Sequence, residues 1–275
     1  MLANDTWGKT LRLARLSRHA DSRMFIVPMD HSVTNGPIMP AHAYARMLDS
    51  LAGCGVDAVV MHKGRLRYLQ PDLFTRMALI VHLSASTAHG PDPDAKVLVG
   101  TVEEALRRGA DAVSLHVNMG SAQERRQLRD LGTVAEAADR CGIPVMAMMY
   151  PRGPKIADAH DPELVAHAAT IAVDLGADIV KTVYTGSTST MADVVRSCPA
   201  PIVVAGGPPL ADRDAILTHV RAVRAAGAAG VAMGRNVFQA DNPAAVADAV
   251  AAVVHDAPAE PAWATRPLQA IPAAR

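Results

Sequence analysis

The sequence predicts an α/β fold, a (β/α)8 TIM barrel in a single domain. Three observations carry this. Eight short apolar, β-branched runs recur with helix-period segments between them, and such a barrel typically takes about 250 residues against the 275 here. Phrases such as RRGADAV, DRCGIPV, DLGADIV and RAAGAAGV end a helix, turn on a glycine and open a buried strand, which is the grammar of a parallel sheet. No GxGxxG follows the first apolar run, so an open, doubly wound dinucleotide-binding sheet is the weaker reading.

In chain order the strands fall at 24–29, 58–62, 79–83, 112–117, 144–149, 179–182, 202–205 and 231–233. Helices are expected at 41–52, 102–108, 122–140, 162–175, 190–197, 211–226 and 244–254, and Gly109, Gly142, Gly176 and Gly227 stop four of them. After the first strand comes an extended loop to Pro40, and a short helix starts near Asn236. Residues 1–255 make the barrel with an N-terminal capping helix, and the Ala- and Pro-rich 256–275 reads as an irregular tail.

Composition narrows the function. Half of the residues are hydrophobic and 20% are charged, enough for a large core. Lys+Arg and Asp+Glu are both 27, and aromatics make up 3%, so neither a phosphate-backbone grip nor a base-stacking platform is expected. Three scattered cysteines argue against a disulfide framework or a zinc ribbon. With neither a secretory pattern at the start nor 18 consecutive apolar residues, a cytoplasmic protein with no membrane partner is expected.

Barrel active sites lie at the C-terminal ends of the strands. Here those ends carry Asp30-His31-Ser32, His62-Lys63, Ser84 and Ser86, His116 and Asn118, Tyr150-Pro151-Arg152-Gly153, Lys181, Gly206-Gly207 and Gly234-Arg235. The last two pairs sit where barrels often hold a phosphate: glycines admit an oxyanion close to backbone N–H groups, and Arg235 adds a forked cation. Lys181 is one of only five lysines and lies inside an apolar strand. Burial favours its neutral amine, the form that attacks a carbonyl to make a Schiff base, unless a carboxylate such as Asp30 pairs with it. Asp30 and Tyr150 could share the proton transfers of such chemistry, with Tyr184 as the competing tyrosine. His31, His62, His82 and His116 raise the question of a metal, but no HxH or helical i,i+4 pair is present, and His82 reads as a core or surface histidine. No metal and no other cofactor are expected.

The motifs MDHSVTNGP, MMYPRG, KTVYTG, VVAGGPP and MGRNVFQ, in this order, resemble the archaeal-type class I fructose-bisphosphate aldolase family. Within it the likeness is greatest to the 2-amino-3,7-dideoxy-D-threo-hept-6-ulosonate synthases and their bacterial relatives that condense dihydroxyacetone phosphate with aspartate semialdehyde. The resemblance implies that Lys181 forms the Schiff base, Tyr150 donates a proton and Asp30 serves as acid–base carboxylate. It implies that the substrate meets His31, Ser32, Val33, Thr34, His116, Pro151 and Arg152, and that its phosphate rests on Gly206, Gly207, Gly234 and Arg235. It further implies a metal-free homo-oligomer, a pentamer or decamer. The sequence departs from the family's pattern at Ser32–Asn35, Val183 and Pro209, positions assigned to the acceptor side.

The expected function is therefore a class I aldolase that joins a phosphorylated three-carbon ketose to L-aspartate 4-semialdehyde, giving a seven-carbon amino keto sugar phosphate for aminohydroxybenzoate-type or aromatic biosynthesis. Two alternatives accompany it. One is a fructose-bisphosphate aldolase, with Arg152 and Lys155 taking a second phosphate. The other is a non-catalytic barrel that binds sugar phosphates.

Overall fold

The computed structural model describes residues 5–256, so the expected tail lies, from residue 257 on, outside the described residues. The strands are β1 (Met24–Pro28), β2 (Ala58–Met61), β3 (Ala78–His82), β4 (Ser84–Ala85), β5 (Val97–Leu98), β6 (Ala112–Met119), β7 (Val145–Pro151), β8 (Ile179–Thr182), β9 (Ile202–Ala205) and β10 (Gly230–Ala232). Eight of them close a barrel in the cyclic order β1, β2, β3, β6, β7, β8, β9, β10, every pair parallel. The helices are α1 (Asp5–Leu16), α2 (Ser32–Asn35), α3 (Tyr44–Gly53), α4 (Val102–Arg107), α5 (Glu124–Arg140), α6 (Pro162–Asp174), α7 (Thr188–Ser197), α8 (Arg213–Ala225), α9 (Arg235–Phe238) and α10 (Pro243–His255).

Local sequence explains the boundaries. Thr101, Asp161, Ser187, Asp212 and Asn242 each accept a backbone N–H at a helix start, and Pro162 and Pro243 occupy the first turns they suit. The four glycines expected to stop helices all take positive φ, between +60° and +95°. The aspartates of the GVD and GAD repeats have a further use. Asp57, Asp111 and Asp178 each accept the N–H of a residue on the preceding barrel strand, Phe25, Leu79 and Val145, at 2.7–2.9 Å. A side-chain acceptor thus ties successive strands where the ladder begins.

Two expectations are corrected. The loop after β1 is not extended throughout: Ser32–Asn35 make one helical turn, closed by Gly36 N–H donating to Ser32 O. A two-stranded antiparallel sheet, β4 with β5, was not foreseen; each strand has only two residues, too few for an alternation to register. In addition, β6 and β7 run two residues past the expected ends, which puts Asn118 and Tyr150 inside the ladder as register partners.

Alternate residues of each strand point into the barrel. Its lower interior is apolar and closed to solvent, built from Met24, Ile26, Ala58, Val60, Ala78, Ile80, Ala112, Met146, Ile179 and Val203. Leu16 of α1 packs into the same cluster, and α1 is pinned below the barrel by Lys9 to Asp139 and Asp178 and by Arg15 to Asp111. A second apolar cluster, including Phe25, Leu48, Leu131, Val165 and Val220, fills the space between sheet and helices. Each fully buried side chain of this kind contributes about 1.5–3 kcal/mol. Carried two to four residues further up the strands, the inward alternation turns polar: His62, His82, His116, Tyr150 and Lys181.

Candidate active site

Lys181 projects from β8 between Met148 of β7 and Val203 of β9, its register partners. It is 7% exposed. Its hydrogen-bond contact is Met148 Sδ at 3.8 Å, and among the described residues it makes no ion pair. The pairing with Asp30 weighed from the sequence does not form, since the ionic neighbours of Asp30 within 4.0 Å are His31 and His82.

Tyr150 follows Met148 by two residues and shares its inward face. Its ring lies 4.8 Å from the His116 ring, and the Arg152 guanidinium carbon stands 5.4 Å from its centroid. Tyr184, the competing tyrosine, turns away from this group: its hydroxyl meets Thr188 Oγ1 at 3.4 Å and its ring packs on His219.

Asp30 stands just beyond β1, with Oδ1 3.8 Å from His31 Nδ1 and Oδ2 3.9 Å from His82 Nε2. Burial alone would raise its pKa, but His82, His31, Lys181 and His62 reverse that and hold the carboxyl well below the usual range. Burial drives His82 down to about 3, so near neutral pH it faces Asp30 as an uncharged ring. Asp30 Oδ1 and His31 Nδ1 are buried without a hydrogen-bond partner, which leaves an acceptor and a ring nitrogen free for another molecule. His82 is buried, in line with the core placement expected of it: Nδ1 meets Ser114 Oγ at 2.8 Å and Nε2 meets Ser84 Oγ at 3.3 Å, with Asp30 Oδ2 3.9 Å from Nε2.

His116 is also kept neutral, pushed well below its ordinary value by burial and by nearby Lys96. Its Nε2–H donates to Asn118 Oδ1 at 2.8 Å, while Asn118 Nδ2 donates to the Asp94 carbonyl. Near neutral pH a neutral His116 therefore keeps Nδ1 as an acceptor.

Lys181, Tyr150, Asp30, His31 and His116 line one cavity of about 230 Å³ with Thr34, Asn35, Lys96, Met148, Arg152, Val183, Gly206, Gly207, Gly234 and Arg235, whereas His82 lies beneath it. A larger cavity of about 490 Å³ beside α8, α9 and α10 shares Arg235 and contains Pro209, but none of Lys181, Tyr150 or Asp30. Of the residues expected to meet substrate, Ser32, Val33 and Pro151 do not line the smaller cavity. Val33 is exposed on the helical turn that replaced the expected loop, and Pro151 follows Tyr150 in β7 and so faces the other way.

Gly206-Gly207 and Gly234-Arg235 meet at one side of the cavity. Arg235 Nη2 donates to Gly207 O at 2.9 Å, and Asn236 Nδ2 donates to Gly206 O, so the loops after β9 and β10 are cross-tied. Gly206 is less available than its neighbours, because its N–H already donates to Ala232 O. Gly234 has a packing reason to be glycine: an added Cβ would stand 2.3 Å from Pro28 O.

Lys96 was missed. The sequence offered only its rarity, since nothing in DPDAKVLVG shows that this loop folds over the barrel mouth. No three of the four mouth histidines and Asp30 gather as metal ligands. Among the described residues, the one group of three with ligand atoms within 4.8 Å is His19, Asp57 and His255, at the strand-starting end.

A profile of the DeoC/LacD family aldolases matches residues 24–240, from the first residue of β1 to just past α9. The chain belongs to the DeoC/LacD aldolase family. This aldolase is 56% identical over 256 residues to the 2-amino-4,5-dihydroxy-6-oxo-7-(phosphonooxy)heptanoate synthase of Streptomyces griseus, covering 93% of each chain. It is 45% identical to the 2-amino-3,7-dideoxy-D-threo-hept-6-ulosonate synthase of Halobacterium salinarum, over 90% of this chain and 92% of that one. Among solved structures it is similar to an archaeal fructose 1,6-bisphosphate aldolase, with 31% identity, a TM-score of 0.83, and 90% and 100% of the two chains covered. A further archaeal fructose-1,6-bisphosphate aldolase, with the catalytic Lys covalently bound to the carbinolamine intermediate, matches at 31% identity and a TM-score of 0.82, over 90% and 99% of the chains. The chain is a carbon–carbon bond-forming enzyme of aldolase type. No helix among its described residues is long and apolar enough to cross a membrane.

Proposed function

We propose that this aldolase joins dihydroxyacetone phosphate to L-aspartate 4-semialdehyde through a Schiff base on Lys181. The observation that carries the proposal is a buried lysine that makes no ion pair among the described residues and shares a 230 Å³ cavity with Tyr150 and Asp30.

The substrate pair is supported by the product in the Streptomyces griseus relative's name. A ketone at carbon 6 with hydroxyls at 4 and 5 marks the bond between carbons 4 and 5 as an aldol bond. Breaking that bond leaves dihydroxyacetone phosphate from carbons 5–7. It leaves an aldehyde bearing a 2-amino group and a carboxylate from carbons 1–4, which is aspartate 4-semialdehyde. The Halobacterium relative's product keeps the 2-amino acid end and is deoxygenated at carbon 7, so the two named products share the acceptor half.

The unprotonated amine of Lys181 adds to the donor ketone. The carbinolamine loses water with proton help from Asp30 and Tyr150, and the iminium draws electrons from the neighbouring carbon, which gives up a proton to form the enamine. The enamine carbon attacks the acceptor aldehyde, Tyr150 protonates the new alkoxide, and water releases product and free lysine. The donor phosphate rests at Gly207, Gly234 and Arg235, and this anchoring holds the ketone against the amine. The chemistry needs no cofactor. Lys155, offered from the sequence for a second sugar phosphate, is exposed and outside the cavity, which weighs against the fructose-bisphosphate reading.

Borohydride trapping tests the proposal. Dihydroxyacetone phosphate should leave a reduced adduct that peptide mapping places on Lys181, and adding L-aspartate 4-semialdehyde should divert the donor into a seven-carbon product. The absence of any adduct would sink the Schiff base. An adduct indifferent to the semialdehyde would sink the acceptor.

A further inference from the structure

Five charged side chains line the cavity: Asp30 against Lys96, Arg152, Lys181 and Arg235. Lys181 and Arg235 have uses in the proposed chemistry, the amine for the ketone and the guanidinium for the donor phosphate. Lys96 and Arg152 are left over, on the side of the β4–β5 hairpin and β7.

Lys96 is 8% exposed, and among the described residues it makes no ion pair; its hydrogen bond goes to Ser86 Oγ. A buried ammonium without an anion is costly, and proteins seldom retain one without a use. Burial and the nearby Arg152 push its pKa down, and the weaker opposing pull of Asp94, Asp30 and Asp92 does not reverse this.

The hairpin that carries Lys96 is firmly held. The Asp94 carbonyl accepts Asn118 Nδ2 and Gln127 Nε2, both at 2.9 Å, from two side chains that are themselves buried. Gln127 Oε1 in turn accepts the Asn118 N–H. On the opposite side Thr34 Oγ1 donates to Ser86 O, and Ala88 N–H donates to Thr34 O. The loop is therefore pinned over the barrel mouth with its lysine turned into the cavity.

We propose that Lys96, assisted by Arg152, seats the carboxylate of the acceptor aldehyde and thereby sets the enzyme's preference for anionic acceptors. The assignment rests on the Schiff-base reading above. It gives Lys96 an anion, with the more exposed Arg152, whose ionic neighbour Asp94 stands 4.0 Å away, beside it and apart from the donor phosphate.

The test compares two four-carbon aldehydes that differ only in charge at the far end, succinate semialdehyde and butyraldehyde, with dihydroxyacetone phosphate as donor. The wild-type enzyme should prefer the carboxylate by at least tenfold in kcat/KM. Lys96→Met should bring that ratio to within about threefold of unity while dihydroxyacetone phosphate is still trapped on Lys181, and Lys96→Arg should restore most of it. If Lys96→Met does not fold, Arg152→Gln should lower the same ratio. A wild-type ratio in folded Lys96→Met with normal trapping overturns this proposal alone, whereas failure of trapping in the wild type overturns the Schiff base. A Lys96-dependent preference for glyceraldehyde 3-phosphate over both aldehydes overturns the carboxylate assignment.

Discussion

Met148 and Lys181 face each other across the β7–β8 ladder, and the amine touches a thioether sulfur at 3.8 Å instead of a carboxylate. A buried lysine so placed costs the fold stability, and the proposed Schiff-base chemistry gives it a use. Lys181→Met should abolish turnover and borohydride trapping, yet its melting temperature should equal or exceed that of the wild type. A clear fall in melting temperature would mean that the ammonium has a stabilising partner.

Tyr150 keeps its ring contacts with His116 and Arg152 if only the hydroxyl is removed. Tyr150→Phe should therefore fold normally and lower kcat by about 10²–10⁴-fold, the usual reach of a positioned proton donor. Trapping of the donor on Lys181 should persist. A loss below tenfold would pass the role to another group.

Arg235 is aligned by its bond to Gly207 O at 2.9 Å, at the edge of both cavities. Removing one charge-assisted contact costs about 1.5–3 kcal/mol, so Arg235→Ala should raise the KM for dihydroxyacetone phosphate by about tenfold or more. Initial rates at saturating donor should change far less. An unchanged KM would place the phosphate elsewhere.

Gly234→Ala would drive a Cβ to 2.3 Å from Pro28 O, and neither strand end can yield without disturbing the closing pair β1–β10. The expected loss of stability is about 1–3 kcal/mol, read from urea unfolding, with activity falling as well. Gly36→Ala makes a useful contrast, since an added Cβ there meets nothing within 4 Å and only the positive φ opposes it.

Stability should fall on both sides of neutral pH, for different histidines. His82 has a folded pKa of about 3, so below about 6.5 the unfolded chain binds its proton first and stability drops by about 1.4 kcal/mol per pH unit down to that value. His116 acts in the same direction. At His255 burial lowers the pKa, but bonds and charge from Asp57 and Asp21 outweigh it, for a net rise. Its contribution is complete below about 6.5 and is lost as pH climbs through the raised value. Unfolding free energies from pH 4 to 9 should show His255→Gln flattening only the alkaline limb.

Much of the site could be read before the fold. A lysine inside IVKT and a tyrosine ending MAMMY had to lie at strand tips facing a barrel mouth, because the period of two that buries Ile179 and Met146 also points Lys181 and Tyr150 inward. Gly206-Gly207 and Gly234-Arg235 after the last two barrel strands were legible for the same positional reason. Two of the readings that failed fell on irregular backbone, while Pro151 failed by facing away within β7. Ser32 and Val33 missed the cavity because a single helical turn, too short for any periodicity, took the place of a loop. The approach of His82 to Asp30 was not legible, because this neighbour at 3.9 Å is 52 residues away in sequence.

The sequence by itself determined the eight strands, the helix stops, the polar barrel mouth and the placing of Lys181 inside an apolar strand. These are matters of period and local propensity, which a chain carries wherever it goes. Only the tertiary structure decided that Asp30 faces His82 and Lys181, that the two glycine loops are cross-tied through Arg235 and Asn236, and that Lys96 hangs into the cavity. Those relations join residues on different strands and loops. They depend on how the barrel closes and on which buried amides hold a hairpin down, and no periodicity along the chain encodes either.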